Sequence, residues 1–480
     1  MYSDTIAALS SGALPCGVAV VRVSGTKASV VMTTLAGALP TPRHASLRTF
    51  RARDGTPIDK GIALFFDGPA TATGEDIAEF HLHGGRAVVA AFLDAVARID
   101  GVRLAQAGEF TRRAFENGRM DLTEAEGLAD LLAAETEGQR RAAFAQAGGT
   151  LRTLYEGWMT RLTRARAMVE ASFDFADEGD VGDRADAGVR DAVAGIREAI
   201  GLHLDKAGRG EILRSGFKVA IVGAPNAGKS SLLNALAERE AAIVTDVPGT
   251  TRDVISVTLD LAGVPVILSD TAGIRHTRDA VEAIGIARAR AAMAEADLIL
   301  ALEDPAQTPG PLSRLKGLLS YVKPSLGAVG HAIEENDRES ASAAGAPNAK
   351  RDVLTVRTKV DLAGGGDTRG HAHHLEEGGY DFAISATTGA GLSALVEAIA
   401  SKARSAVGDP ENVIPLRVRQ RELLQDTARI LSEFLATPDM PAEIAAETLR
   451  RASNRLGALT GQVGVEDLLD VIFSEFCIGK

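Results

Sequence analysis

The sequence predicts a multidomain chain, α/β plus all-α, in which an inserted α/β domain interrupts a helical one. Three observations carry this. The 480 residues amount to about three domains at roughly 150 residues each. Strand and helix patterns alternate in two separate stretches, 5–110 and 217–403. Patterns rich in Ala, Arg, Glu and Leu flank the second stretch on both sides, and an insertion of this kind is tolerated because its chain ends lie close together. The expected boundaries are 1–118, 119–215, 216–404 and 405–480.

In the first stretch, Val18–Val23 and Gly61–Phe66 read as strands and Gly85–Ile99 as a helix with apolar residues at helical spacing. After Asn117-Gly118 the texture turns helical. Leu122, Ala125, Leu128, Leu131 and Leu132 share one face, with breaks expected at Gly148-Gly149 and Glu178–Asp180. From Phe217 the alternation returns: strand Phe217–Val222, helix Ser231–Leu236, strand Val264–Ser269, helix Val281–Met293 and strand Asp352–Val356. Asp304–Asp352 is rich in Pro, Gly, Ala and Ser and reads as a flexible surface excursion.

Composition excludes several classes. Apolar residues make up 45% and charged residues 24%, so the chain packs cores rather than remaining disordered. A net charge of −12 argues against a general polyanion binder, because phosphate affinity rests on Lys and Arg. Two cysteines, Cys16 and Cys477, at opposite ends exclude a disulfide framework and fit a reducing compartment. No apolar run approaches the roughly 18 residues of a membrane span, and the N-terminus lacks a secretory pattern. The expectation is a cytoplasmic protein with no membrane partner.

The most specific signal follows the strand Phe217–Val222. Gly223-Ala-Pro-Asn-Ala-Gly-Lys-Ser230 is G-x-x-x-x-G-K-S in its strand–loop–helix context. There Asn226, Ala227, Gly228, Lys229, Ser230 and Ser231 would cradle phosphates, Lys229 bridging oxygens and Ser230 offering a hydroxyl to Mg²⁺. Asp270, Thr271, Ala272 and Gly273 follow the strand Val264–Ser269, where an Asp can hold a Mg²⁺-bound water and a glycine N–H can meet the terminal phosphate. Upstream lie Thr245, Asp246, Val247, Pro248, Gly249, Thr250 and Thr251, of which Thr250 and Thr251 offer a hydroxyl to complete a Mg²⁺ shell. Thr358-Lys359-Val-Asp361 places an acid that accepts guanine N1–H and N2–H. Ser385-Ala386, at the end of another strand, offers backbone N–H to guanine O6, and Thr387 completes the nucleotide-binding set. Order and spacing together resemble a Ras-like P-loop GTPase domain. Ile274 stands where Ras-like enzymes carry a water-orienting Gln. Asn226 is then either a turn former or a ligand for a monovalent cation standing in for an arginine finger. Glu282 is either a solvated acid near a helix start or the group that positions the attacking water.

Taken with Val281–Ile286, Asp4–Ala8, Thr73–Asp76, Glu79, His83–Gly85, Gly108–Phe115, Asn117–Leu122 and the terminal Phe476-Cys-Ile-Gly-Lys480, these motifs resemble the MnmE (TrmE) family of tRNA-modification GTPases over essentially the full length. The resemblance implies an N-terminal domain that is folate-binding-like and forms a homodimer. It implies a heterotetramer with the FAD-dependent partner MnmG (GidA), so that FAD enters only through the partner. The pair would act at C5 of the tRNA wobble uridine, adding carboxymethylaminomethyl or aminomethyl. It places 5-formyl-tetrahydrofolate, or a related one-carbon folate, at Arg22, Glu79, Arg119 and Lys480. K⁺ falls to Asn226, Thr245, Val247 and Thr250, and Mg²⁺ to Ser230 and Thr251. Glu282 takes the catalytic place beside Asn226 and Lys229. Cys477 is either a nucleophile or a buried small apolar residue. Three departures stand out: Thr358 where the guanine motif usually begins with Asn, Arg119 for Lys, and an altered turn at Ser10–Gly17.

Two other classes compete. An Era- or Der-like ribosome-assembly GTPase shares the potassium-type loop, and Gly461-Gln-Val-Gly464 matches a GxxG, but acidic Glu466-Asp467 follow it at once. A folate-dependent aminomethyl transferase working without nucleotide hydrolysis leaves the nucleotide motifs unexplained.

Overall fold

The computed structural model describes residues 2–174, 182–224, 226–239, 242–243, 256–270, 292–304, 352–362, 380–408, 417–463, 466–474, 476 and 478–479. The chain divides into two compact units. One comprises Met1–Ala133, Ala142–Asp205 and Val413–Lys480, and the other Ala134–Arg141 and Lys206–Asn412.

The first unit begins with β1 (Thr5–Leu9), β2 (Cys16–Ser24), β3 (Ser46–Arg51), β4 (Pro57–Phe66), β5 (Ile77–Gly84) and β6 (Val102–Leu104). They form a sheet in the order β3-β4-β5-β2-β1-β6. Period-two alternation sends Val21 and Val23 of β2 and Phe80 of β5 into a core with Met32 and Phe92, from helices Ala28–Ala36 and Arg86–Ala97. Phe50, Phe80 and Phe92 lie with ring centroids 4.9–5.6 Å apart, each buried ring contributing about 1.5–3 kcal/mol. The same alternation sends Arg22 and Glu79 to the opposite face, side by side, because β2 and β5 pair in the register Arg22↔Glu79.

The helical part of this unit packs helices Thr150–Asp174, Gly182–Leu204, Val418–Ala436 and Ala442–Thr460 around Tyr155, Trp158, Leu162, Ile196, Leu431 and Leu456. The break at Gly148-Gly149 is found between Ala147 and Thr150, whereas Glu178–Asp180 lies outside the described residues. Helix Leu122–Ala133 departs from the expected apolar face: Leu132 is 50% exposed, while Glu126 is buried. The helix is turned by a polar contact the apolar pattern does not encode. Arg419 grips both Glu126 oxygens at 2.9 Å, and Gln420 Nε2 donates to one of them at 2.8 Å.

The second unit holds β7 (Phe217–Gly223), β8 (Ala242–Ile243), β9 (Ser256–Leu261), β10 (Val264–Asp270), β11 (Leu298–Glu303), β12 (Asp352–Arg357) and β13 (Phe382–Ala383). The order is β13-β12-β11-β7-β10-β9-β8. β13, β12, β11, β7 and β10 run parallel, and β9 returns antiparallel to β10. The chain leaves β7 toward β10 on one side and later joins β11 on the other, so β7 stands at a topological switch point, where open parallel sheets bind ligands beyond their carboxyl ends. Asp270 is the last residue of β10 rather than the residue after it. Asp304 is buried at the end of β11, correcting its assignment to the surface excursion, whose residues 305–351 lie outside the described ones.

Candidate nucleotide-binding site

Five parallel strands deliver the predicted residues to one edge of the sheet. In sheet order these are Ser385 after β13, Thr358 after β12, Glu303 and Asp304 at β11, the Gly223–Ser230 loop after β7, and Asp270 on β10. Helix Lys229–Arg239 starts directly behind the loop, so its N-terminal N–H groups and dipole face the loop's concavity. Asn226 and Gly228 both have left-handed backbone, with φ of 66° and 89°, which curls successive N–H groups into an anion nest. Gly223 is fixed by contact: a Cβ there would sit 2.7 Å from the Leu302 carbonyl of β11.

The loop's side chains are already tied. Lys229 is buried, and its ammonium donates to the carbonyls of Gly223 and Ala224 at 2.9 Å each. Burial lowers its pKa from the ordinary lysine value, against the opposing pull of the Asp270 carboxylate. Ser230 Oγ donates to Asp270 Oδ2 at 2.8 Å. A hydroxyl and a carboxylate at that spacing are hard oxygen donors of the kind Mg²⁺ takes alongside substrate phosphates. Asn226 is exposed at the loop's tip. Thr245–Thr251, Thr271, Ala272, Gly273 and Glu282 lie outside the described residues.

The purine-side residues are arranged differently from a simple row of donors. Thr358 Oγ1 lies 2.9 Å from the Ala227 carbonyl and 3.1 Å from the Glu303 carbonyl. Lys359, at φ 57°, pairs its ammonium with buried Asp304 at 2.8 Å. Asp361 is exposed in a short turn, with its carboxylate open to solvent. The expectation that Ser385 and Ala386 both offer N–H needs correction. Ser385 is fully buried, and its amide donates to Ala390 O at 3.0 Å while its hydroxyl accepts from Thr388 N–H at 3.1 Å. Ser385 organises the loop, leaving Ala386 N–H as the donor of that pair.

Sequence reasoning missed Glu303, Asp304 and Tyr380. Tyr380 OH donates to the buried Glu303 carboxylate, and burial together with that acid pushes the phenol up to about 12. The available signal was Glu303-Asp304 directly after the apolar run Leu298–Leu302: an acidic pair at a strand end needs partners.

In the first unit, Arg22 and Glu79 pair with each other at 2.8 Å. Arg119 Nε donates to the Thr71 carbonyl at 3.0 Å. The loop that carries Thr71 is joined to β2 through the 2.6 Å Ser24–Thr73 hydroxyl contact. The chain's last described residues reach this region's neighbourhood: Ile478 bridges Ala107, and Ser10 Oγ donates to Gly479 O at 2.9 Å. Cys477 and Lys480 lie outside the described residues. Among the described residues no helix is long and apolar enough to cross a membrane.

Comparison with known proteins agrees with these features. Residues 5–119 match the family model described as GTP-binding protein TrmE N-terminus, and residues 122–477 match the MnmE helical domain. Proteins named tRNA modification GTPase MnmE from Brucella suis and Brucella melitensis are each 48% identical over 479 residues, covering 100% of this chain and 99% of theirs. Among solved structures, the G domain of the T. maritima FeoB iron transporter is 23% identical and covers 39% of this chain and 98% of its own, with a TM-score of 0.26. An Era protein of Aquifex aeolicus bound to GDP and an aluminium fluoride is 24% identical, covering 46% and 67%, with a TM-score of 0.26. On the full-length identity and the two family matches, the chain belongs to the MnmE family of tRNA modification GTPases.

Proposed function

We propose that this chain hydrolyses GTP to GDP and phosphate, activated by K⁺, as part of the modification of tRNA wobble uridine at C5 together with an FAD-dependent partner. The observation that carries the GTPase half is the gathering of Lys229, Ser230, Asp270, Thr358 and the Ser385 loop on one edge of a parallel sheet. The sequence order of the motifs and the family relationship support the tRNA half.

In this reading each group has a task. Lys229 exchanges the Gly223 and Ala224 carbonyls for phosphate oxygens, whose negative charge offsets the burial that disfavours its ammonium. Ser230 would hold Mg²⁺ with Thr251, Asp270 would hold a water bound to it, and Asn226 would hold K⁺ with backbone oxygens of Thr245, Val247 and Thr250. Bound at those residues, the two cations would supply positive charge where negative charge builds up on the transferring phosphoryl group. Glu282 orients the water. Asp361 accepts from guanine N1–H and N2–H, and Ala386 N–H meets O6.

The N-terminal sheet is the proposed folate site. Arg22 and Arg119, with Lys480, suit the carboxylates of a one-carbon folate such as 5-formyl-tetrahydrofolate, and Glu79 suits its pterin donors. Cys477 would lie near it. The chain would act as a cytoplasmic homodimer, in a heterotetramer with MnmG.

Purified protein should turn over GTP with K⁺ and Mg²⁺, bind 5-formyl-tetrahydrofolate, and restore wobble-uridine modification to cells lacking the family protein. Turnover without folate binding or restored modification would favour the ribosome-assembly reading. Folate binding without GTP turnover would favour a transferase.

A further inference from the structure

We infer that Thr358 is a positioning residue that holds the phosphate loop and leaves the purine N7 unread, so that base selection in this chain falls on Asp361 and the Ala386 amide. The inference rests on the proposed GTP site and concerns how that site chooses its base.

Thr358 is buried beside the loop, with its hydroxyl between two carbonyls, Ala227 O at 2.9 Å and Glu303 O at 3.1 Å. Carbonyls only accept, and a threonine hydroxyl has one hydrogen to give. Glu303 O already accepts the Thr358 backbone N–H at 2.8 Å. Of the two acceptors the Ala227 carbonyl is the nearer and belongs to a fully buried residue, so the geometry gives it the single hydroxyl hydrogen. A purine N7 is an acceptor and requires a donor. Thr358 has none left to offer it without releasing the loop.

The surroundings keep this hydroxyl in place. Gly228 lies directly against Thr358: a Cβ on that glycine would sit 3.8 Å from the threonine's Cβ and Oγ1. On the following residue, Lys359 is anchored to buried Asp304. On the preceding strand, Glu303 is held through its side chain by Tyr380. The threonine thus joins the ends of β11 and β12 to the phosphate loop. An amide at this position carries two N–H hydrogens, so it could hold the loop and still donate once more; the hydroxyl performs only the first of these.

The test is equilibrium binding of GDP and 7-deaza-GDP, which lacks the N7 acceptor, to the full chain and to Thr358→Val, Thr358→Ser and Thr358→Asn. The parent should bind the two nucleotides within about threefold of each other, and this comparison needs no variant to fold. Thr358→Val should weaken both by about tenfold, equivalent to about 1.4 kcal/mol, without changing their ratio, and Thr358→Ser should restore both. Thr358→Asn should create a preference for GDP of about fivefold or more. General loss of stability moves affinities but not the ratio. A parent that prefers GDP by more than about tenfold, with the preference erased in Thr358→Val, would show that the hydroxyl reads the base and would overturn the inference. So would a Thr358→Val protein that binds both like the parent. A parent that binds neither nucleotide would overturn the GTP reading itself and the inference with it.

Discussion

The Ser230 hydroxyl donates a 2.8 Å hydrogen bond to the Asp270 carboxylate, joining the first turn of the helix behind the phosphate loop to the last residue of β10. Ser230 is proposed to hold Mg²⁺, and Asp270 to hold a water bound to it. Ser230→Ala should lower GTP turnover by about tenfold or more, a loss of roughly 1.4 kcal/mol in barrier terms, and raise the Mg²⁺ concentration needed for half-maximal rate. A Mg²⁺ titration of turnover checks this. An unchanged Mg²⁺ requirement would remove the serine from the metal site.

Burial of the Lys229 ammonium carries a cost. Its folded pKa lies below its ordinary value of 10.5 because burial disfavours the ammonium. Between the lowered value and 10.5 the unfolded chain binds the extra proton, so stability rises with pH across that window. The Lys229→Met protein should lose that portion of the alkaline slope while also losing nucleotide binding. Denaturant unfolding of both proteins along a pH series measures it, and identical slopes would contradict the burial argument.

Asp121 makes the opposite case for an acid. Burial, the leading cause, raises its pKa from 3.8 to about 6, although its carboxylate accepts from Glu124 N–H and the Thr123 hydroxyl. The contribution is fully present below 3.8 and is lost as pH rises through about 6. Asp121→Asn keeps an acceptor for the helix start and removes the buried charge. At neutral pH it should stabilise the protein by about 1–3 kcal/mol at 1.36 kcal/mol per pKa unit. A thermal or denaturant midpoint that falls instead would indicate that the ionised carboxylate has a partner worth more than its desolvation.

Two ion pairs separate depth from mere proximity. Glu126 is buried between Arg419 and Gln420, and Glu126→Ala should cost about 3–5 kcal/mol because it strands a desolvated guanidinium. Glu137 meets Arg140 and Arg141 at 2.7 Å, but its side chain is 49% exposed. Glu137→Ala should leave the unfolding midpoint unchanged, because solvent screens the pair.

Legibility in the sequence followed how local the determining physics is. The phosphate loop was readable because its glycines, lysine and hydroxyl act through neighbouring backbone, and β7 and the helix from Lys229 fall where the pattern put them. β1, β3, β5 and β6 escaped notice because their burial is set by pairing with distant strands, as in the Arg22↔Glu79 register. Leu132 misled because a buried carboxylate, not an apolar stripe, orients its helix. The loss of the Ser385 amide to Ala390 O and the tie from Thr358 to Ala227, 131 residues away, depend on tertiary contacts that no spacing reveals.

The central claim is that this sheet edge hydrolyses GTP with an alkali ion at Asn226, the exposed tip of the phosphate loop. Its most direct test is the turnover rate of purified protein in potassium and in sodium buffers of equal ionic strength, with and without Asn226→Ala. Turnover in potassium should exceed that in sodium by about tenfold or more, close to 1.4 kcal/mol of barrier, and the substitution should abolish the difference. Equal rates in the two salts, or a potassium effect that survives loss of the amide, would contradict it.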